Sequence, residues 1–428
     1  MVGSAAQNAI ALTDSLFLAR LSDEAFATIG FVSVFYLIVA AIGYGFSKAG
    51  QILIARRMGQ RDIAGLRQTF QSMFAFEMLL AAAAFAFMTL GAYYLFAAML
   101  DSDTVFYGSL EYLETRKWGV FASYAGISFI ALYSGIGRTR SLLLATMVLL
   151  GTNIALDYAL IFGNWGLPAM GLAGAGLAST ISEYVGLAAF LLYVLADRSV
   201  RDMQLLRFEP IDWALVRTQA KLSLPVVAQS VVGLGSYLFF FGIVENLGER
   251  ALAITNVVRI VYLALSVPTW GFATAVNTLT SHFLGRGRRS AVLPLTGKVS
   301  WVCLWATVLL TLPVVLFPQY VLYPLFGADQ LDLIAAAQPV FYVLVVILAL
   351  FAYGAVFFNS LIGAGGVYYG LRIQTIAAVA YMAAVYVVIQ TGWGGLTAAW
   401  GTEIVYWSLL WWLSARGLSG HRWRGSEL

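Results

Sequence analysis

Apolar runs of about twenty residues recur along the whole chain, and runs of that length leave few ways to fold. At 1.5 Å per residue, about twenty apolar residues cross roughly 30 Å of bilayer hydrocarbon as one helix. No water is present there to satisfy backbone N–H and C=O groups, so each segment must pair its own, as a helix does. Twelve runs are read, at about residues 2–20, 26–55, 69–99, 118–137, 141–163, 171–196, 222–245, 251–284, 295–322, 338–363, 370–391 and 396–415. Several exceed 25 residues, so they tilt or project beyond the bilayer. With 61% hydrophobic and only 11% charged residues, an ordinary soluble domain is excluded. The expectation is an all-α integral membrane protein with twelve transmembrane helices.

Charge placement explains a pI near 9.0 without a nucleic-acid partner. One set of inter-span loops carries 17 basic residues, and the opposite set carries only Arg116, Lys117 and Arg250 beside several acids. Basic loops stay on the cytoplasmic side, so both termini are expected in the cytoplasm and the protein in the inner or plasma membrane. No cleavable signal peptide is read, and the apolar start from Val2 suggests a chain beginning inside its first helix. The single cysteine, Cys303, lies in an apolar run and is expected to be a small buried residue.

The chain also resembles itself. With Leu21 set on Leu247, eleven of 39 positions between Leu21 and Gly59 match without a gap, among them Tyr36/Tyr262 and Gly45/Gly271. Chance would give about one match in ten. Six spans precede a polar stretch at 197–221 and six follow it, so the domains are read as 1–196, a cytoplasmic linker 197–221, and 222–428. An even span count makes the halves parallel repeats, two pseudo-symmetric six-helix bundles around a central cavity. The same register sets Asp14 opposite Phe240, so one half keeps a carboxylate where the other has a benzyl ring.

Ionisable groups inside spans cost several kcal/mol unless paired or wetted, which makes each a functional candidate. Asp14 shares a helix face with Gln7, seven residues earlier, and Asn153 stacks above Asp157 at i, i+4. Two such carboxylates in one lobe can share a proton or coordinate a hard monovalent cation, with Ser179 or Thr180 supplying a hydroxyl. Na+ at Asp14, Asn153 and Asp157 is one form of that site. Glu77 and Lys48 can pair or Lys48 can snorkel, and Glu183, one turn beyond Ser179, either extends the site or faces water. Glu403 is the one acid well inside a second-lobe span and is expected to line the substrate cavity, with Tyr36 and Tyr262 as aromatic candidates for organic cations.

Several stretches resemble the multidrug and toxic compound extrusion (MATE) family. They are Thr-Asp-Ser-Leu-Phe-Leu-Ala-Arg-Leu (13–21), Gly-Gln-Ile-Leu-Ile-Ala-Arg-Arg-Met-Gly-Gln (50–60), Asn-Ile-Ala-Leu-Asp-Tyr-Ala-Leu-Ile-Phe-Gly (153–163), Gly-Leu-Ala-Gly-Ala-Gly-Leu-Ala-Ser-Thr (171–180) and Leu-Pro-Val-Val-Ala-Gln (224–229). The resemblance implies two six-helix bundles forming a V-shaped cavity, and export of organic cations by antiport against protons or sodium. It implies that Asp14 is the first-span acid, Asn153 and Asp157 the fifth-span amide and acid, and Ser179 or Thr180 the sixth-span hydroxyl. Gln7 matches a substrate-cavity position of the DinF-like branch. The acid that some branches carry in the seventh span is missing from 231–241, which favours a coupling site in the first lobe. The family's first-span proline has no counterpart after Met1.

The expected function is therefore cation-coupled export by alternating access, by a monomer in the lipid bilayer that takes small organic substrates. No cofactor is expected beyond H+ or Na+ as coupling ion. A lipid-linked glycan flippase of the related superfamily is the alternative, and would call for an arginine-rich cavity. An enzyme would need a nucleophile and base or a metal cluster, and two histidines (His282 and His421) with one cysteine supply none.

Overall fold

The computed structural model describes residues 2–205, 207, 209–326 and 331–420, with side chains from Ile10 onward except at 246, 249, 324–326 and 331. Asp329, His421 and the side chain of Gln7 thus lie outside the described residues. Every regular element among the described residues is helical, with seventeen α-helices: α1 (Val2–Leu18), α2 (Asp23–Gln60), α3 (Ile63–Leu90), α4 (Ala92–Met99), α5 (Asp103–Arg116), α6 (Gly119–Gly135), α7 (Thr139–Phe162), α8 (Gly171–Ala196), α9 (Arg198–Arg201), α10 (Trp213–Val244), α11 (Glu249–Gly285), α12 (Val292–Leu316), α13 (Pro318–Phe326), α14 (Leu331–Gly363), α15 (Val367–Thr391), α16 (Gly395–Gly401) and α17 (Glu403–Ser419). Nine are long and apolar enough to cross a membrane, and α6 is a shorter apolar helix. The remaining expected spans are built from α1 and from helix pairs such as α16 with α17, in keeping with a twelve-span architecture.

Local chemistry sets the boundaries. Ser22 caps α2 by accepting from the Ala25 N–H, and Asp62 caps α3 by accepting from the Gly65 N–H at 2.9 Å. Gly163, at φ 75°, closes α7 in the left-handed conformation that glycine adopts without a Cβ clash.

The chain divides into two compact units, Met1–Leu224 and Pro225–Leu428. Their helices correspond in order, in a nearly constant register. α2 falls on α11 with Tyr36 on Tyr262, and α5 and α6 together fall on α14 with Tyr112 on Val340. α7 falls on α15 with Asn153 on Tyr381, and α8 on α16 and α17 with Ser179 on Glu403. The repeat therefore runs the length of both units, well beyond the stretch where side chains match.

Two expectations change here. The stretch 100–117, read as an outer loop, contains α5, which packs against α2 and α8, and Arg116 and Lys117 are buried. The 197–221 stretch is packed against the first unit: Val200, Met203 and Leu205 join its core, and Arg67 pairs with Glu209 at 2.7 Å.

Small residues explain how α8 comes close to its neighbours. A Cβ on Gly174 would stand 2.6 Å from the Leu160 carbonyl of α7, and one on Gly176 would stand 2.5 Å from the Tyr112 carbonyl of α5. The glycine run at 171–176 thus brings three helices into backbone contact where their polar side chains meet. Interior prolines are distributed unevenly: Pro225, Pro268, Pro313 and Pro339 interrupt α10, α11, α12 and α14, all in the second unit.

Candidate functional site

Four helices of the first unit converge on one carboxylate. Asp14 of α1 is fully buried, with no solvent exposure. It accepts from Ser179 Oγ at 2.8 Å, from Tyr112 Oη at 2.9 Å and from Asn153 Nδ2 at 3.2 Å, so α8, α5 and α7 each send one donor. Ser179 and Asn153 also bond to each other at 3.3 Å. Of the two hydroxyls considered, Ser179 reaches the acid. Thr180 turns the other way and donates to the Thr115 carbonyl of α5 at 3.0 Å.

Asp157 completes the group. It is fully buried, neither of its oxygens meets a donor, and the carboxyl facing it within hydrogen-bonding reach is Asp14. The Oδ1 of Asn153 is buried without a partner as well. Two ionised carboxylates at such range repel, whereas one added proton turns the contact into a hydrogen bond. A monovalent cation could equally be held by the donorless oxygens of Asp157 and Asn153 beside Asp14. The acceptors that lack a donor are the ones such an ion would bind.

One turn further along α5 and α8 lies a second charged layer. Arg116 makes a two-pronged bond to Glu183, with both contacts at 2.7 Å and both side chains 1% exposed. The guanidinium sits 3.7 Å from the centroid of the Tyr36 ring, whose hydroxyl lies 3.5 Å from Glu183. Gly119 makes room for the pair, since a Cβ there would overlap Arg116 Nη1 and stand 2.6 Å from Glu183 Oε2. Tyr36 is thus built into the lobe interior, and Glu183 does not join the Asp14 group directly.

The second unit carries the same framework with other chemistry. By the helix correspondence, Asp14 falls on Phe240, Tyr112 on Val340, Arg116 on Leu344, Asn153 on Tyr381 and Asp157 on Val385. All five counterparts lie in one buried hydrophobic cluster. Ser179 falls on Glu403, a buried acid that accepts from Trp407 Nε1 at 3.2 Å. The expected substrate-cavity residues Glu403 and Tyr262 both belong to the second unit, and Tyr36 belongs to the first. Among the described residues, no group of three or more His, Cys, Asp or Glu side chains could hold a metal ion.

Sequence reasoning misses Tyr112 and Arg116 because the charges between Asp101 and Lys117 read as a loop. The register that sets Tyr112 on Val340, and so lays 103–135 along the single helix α14, is the signal that reveals a buried helix there.

A duplicated helical membrane protein with a buried, donor-poor acid pair in one repeat has the makings of a transporter. Residues 1–159 and 225–387 match the MatE family, and the chain belongs to it. Among curated relatives, the chain is 26% identical over 293 residues to the "Probable multidrug resistance protein NorM" of Bradyrhizobium diazoefficiens, covering 68% of this chain and 63% of that one. It is 25% identical over 314 residues to the protein of the same name from Thermotoga maritima, covering 72% and 66%. The aligned regions thus span a little under two thirds of those relatives' lengths. The fold also matches the outward-facing conformation of a multidrug resistance MATE family transporter of the MOP superfamily. There the TM-score is 0.86 at 19% identity, over 98% of this chain and 94% of that one.

Proposed function

We propose that the protein exports organic cationic or amphipathic compounds from the cell in exchange for an incoming proton or sodium ion, by alternating access. The observation that carries this reading is the Asp14 and Asp157 pair, where three donors converge on one acid and none reaches the other. A site so short of positive charge, sealed from water, stays stable only when it takes up a cation. Loading and unloading that cation would then alternate with substrate binding, a coupling free energy between sites. Asn153 and Ser179 orient the pair, Gln7 belongs to the first lobe's substrate side, and Glu403 and Tyr262 supply the second lobe's polar groups for a cationic substrate, while Tyr36, covered by Arg116, serves the lobe interior. Membership of the MatE family and likeness to proteins called probable multidrug resistance proteins support export of drugs rather than of lipid-linked glycans. A flippase's basic cavity also finds little support, since the one fully buried arginine among the described residues is neutralised by Glu183.

Ethidium efflux from proteoliposomes under separately imposed proton and sodium gradients tests the proposal. Asp14→Asn should abolish efflux driven by whichever gradient powers the wild type while leaving the protein folded. Undiminished efflux in that variant would refute the site.

A further inference from the structure

One buried carboxylate of the first unit takes no part in the Asp14 group. Glu77 of α3 has no solvent exposure; its Oε1 accepts from Ser47 Oγ at 2.6 Å, and its Oε2 is buried with no partner. Lys48 follows Ser47 directly and would be the obvious counter-charge, yet its ammonium lies 3.5 Å from Gln51 Oε1. None of the ion pairs among the described residues includes Glu77.

The surroundings keep that second oxygen free. Gly43 of α2 stands beside it, and a Cβ there would come within 3.1 Å of both Oε2 and the Tyr124 ring. Tyr124, the titratable group from α6, donates its hydroxyl to the Val39 carbonyl at 2.7 Å. From α2, Tyr44 follows Gly43 directly. From α4 come only Tyr93 and Tyr94, which are exposed and lie past the Leu90 end of α3. Between Tyr44 and Glu183 is a cavity of about 30 Å³, lined also by Ser123 and Thr146, with room for a water molecule or two.

These groups form a descending series. Tyr36, at the level of Glu183, and Ser47, at the level of Glu77, are eleven residues apart on α2, about 16 Å along the axis. Glu77 therefore lies well beyond the Asp14 group toward the Gln60 end of α2, where Arg56, Arg57 and Arg61 cluster. The fold itself does not need an acid there. In the register that sets Tyr36 on Tyr262, Glu77 falls on Cys303, fully buried and 3.6 Å from Thr269, the counterpart of Gly43. A carboxylate with a single hydroxyl donor in an apolar interior requires a positive charge. A sodium ion would need several more oxygens than this site provides, whereas a proton needs none.

We infer that Glu77 is a second proton-binding carboxyl of the first lobe, loaded and emptied during the transport cycle. Loading is the addition of H+ to the carboxylate and emptying is its loss, with no other bond made or broken. This rests on the proton-coupled form of the proposed function.

The test uses the full chain in proteoliposomes. Dicyclohexylcarbodiimide, which reacts with protonated carboxyls in apolar surroundings, is applied to the wild type between about pH 5 and 9, and adducts are located by peptide mass spectrometry. Glu77 should be labelled, and labelling should fall as the pH rises. Glu77→Gln should still bind ethidium but lose about tenfold or more of proton-driven efflux, with a flattened pH profile, and Glu77→Asp should recover part of both. A Glu77 left unlabelled at every pH, or Glu77→Gln with wild-type efflux and pH profile, overturns the inference. If Asp14→Asn transports normally while Glu77 labels and Glu77→Gln fails, the coupling-site assignment falls and Glu77 stands.

Discussion

Leucine at either Arg116 or Glu183 should be among the most destabilising single changes in the first lobe, while leucine at both should be tolerated. The two side chains are each 1% exposed and joined by two contacts of 2.7 Å, so removing one leaves the other charged, dry and unpaired. Such a loss costs about 3–5 kcal/mol, whereas replacing a whole buried pair with apolar groups is often neutral or stabilising. The second lobe already holds that replacement, with Leu344 and Trp407 at the corresponding positions of the same framework. Arg116 additionally lies over Tyr36 at 3.7 Å, which adds about 1 kcal/mol or more of cation–π attraction to its single-site cost. The assay is a double-mutant cycle read by reversible denaturation in mixed micelles, with ethidium binding to report the native state. Each single leucine variant should lose about 3 kcal/mol or more, and the double variant should recover at least half of the summed loss. Single costs below about 1 kcal/mol, or a double variant losing the full sum, would refute the reasoning.

Further expectations concern individual contacts. Ser179→Ala removes a 2.8 Å bond to Asp14 and should shift the half-maximal coupling-ion concentration by about tenfold or more, whereas Thr180→Ala should shift it less than about twofold in the same proteoliposome assay. Tyr112→Phe, which deletes the 2.9 Å bond to Asp14, should change ion dependence in the same way while leaving ethidium affinity at fixed ion occupancy within about threefold. Gly119→Ala should destabilise about as much as loss of the ion pair, while Gly126→Ala on the same helix, where a Cβ meets nothing within 4 Å, should be near neutral by thermal melting. At the end of α8, the bond from Ser199 holds the Asp197 carboxyl below its ordinary value of 3.8. Its capping of α9 should therefore be fully present above about pH 4 and fade as the pH falls through the lowered folded-state value, seen as faster exchange of the Ser199 amide.

The sequence made some of this site readable and hid the rest for definite reasons. Asp14, Asn153 and Asp157 stood out because an acid with a same-face amide inside an apolar run is costly unless used. Ser179 was readable only as one of two adjacent hydroxyls, since the choice depends on the rotation of α8, which is set by contacts of Gly174 and Gly176 with other helices. Tyr112 and Arg116 escaped notice because α5 buries its charges against partners distant in sequence, Asp14 and Glu183. A helix that hides an arginine behind a glutamate 67 residues away has the composition of a loop. The placement of Glu77 and Lys48 allows either a pair or a snorkelling lysine, and in the fold Ser47 takes the bond to Glu77. Twelve spans could be counted from hydropathy, yet hydropathy could not show that α5, buried against α2 and α8, precedes the fourth or that the stretch at 197–221 would fold back onto the first lobe.

The uneven placement of proline has a mechanical consequence. Each interior proline removes one helical hydrogen bond and frees the carbonyl four residues before it, giving a helix a point where bending is cheap. Four helices of the second lobe have such a point, while no described helix of the first lobe does. A site that relies on donors aimed to within a few tenths of an ångström tolerates little flexing. The first lobe is then the stiffer member, which would hold the proposed ion site in register, and elastic strain during transport would be stored in the second lobe's jointed helices.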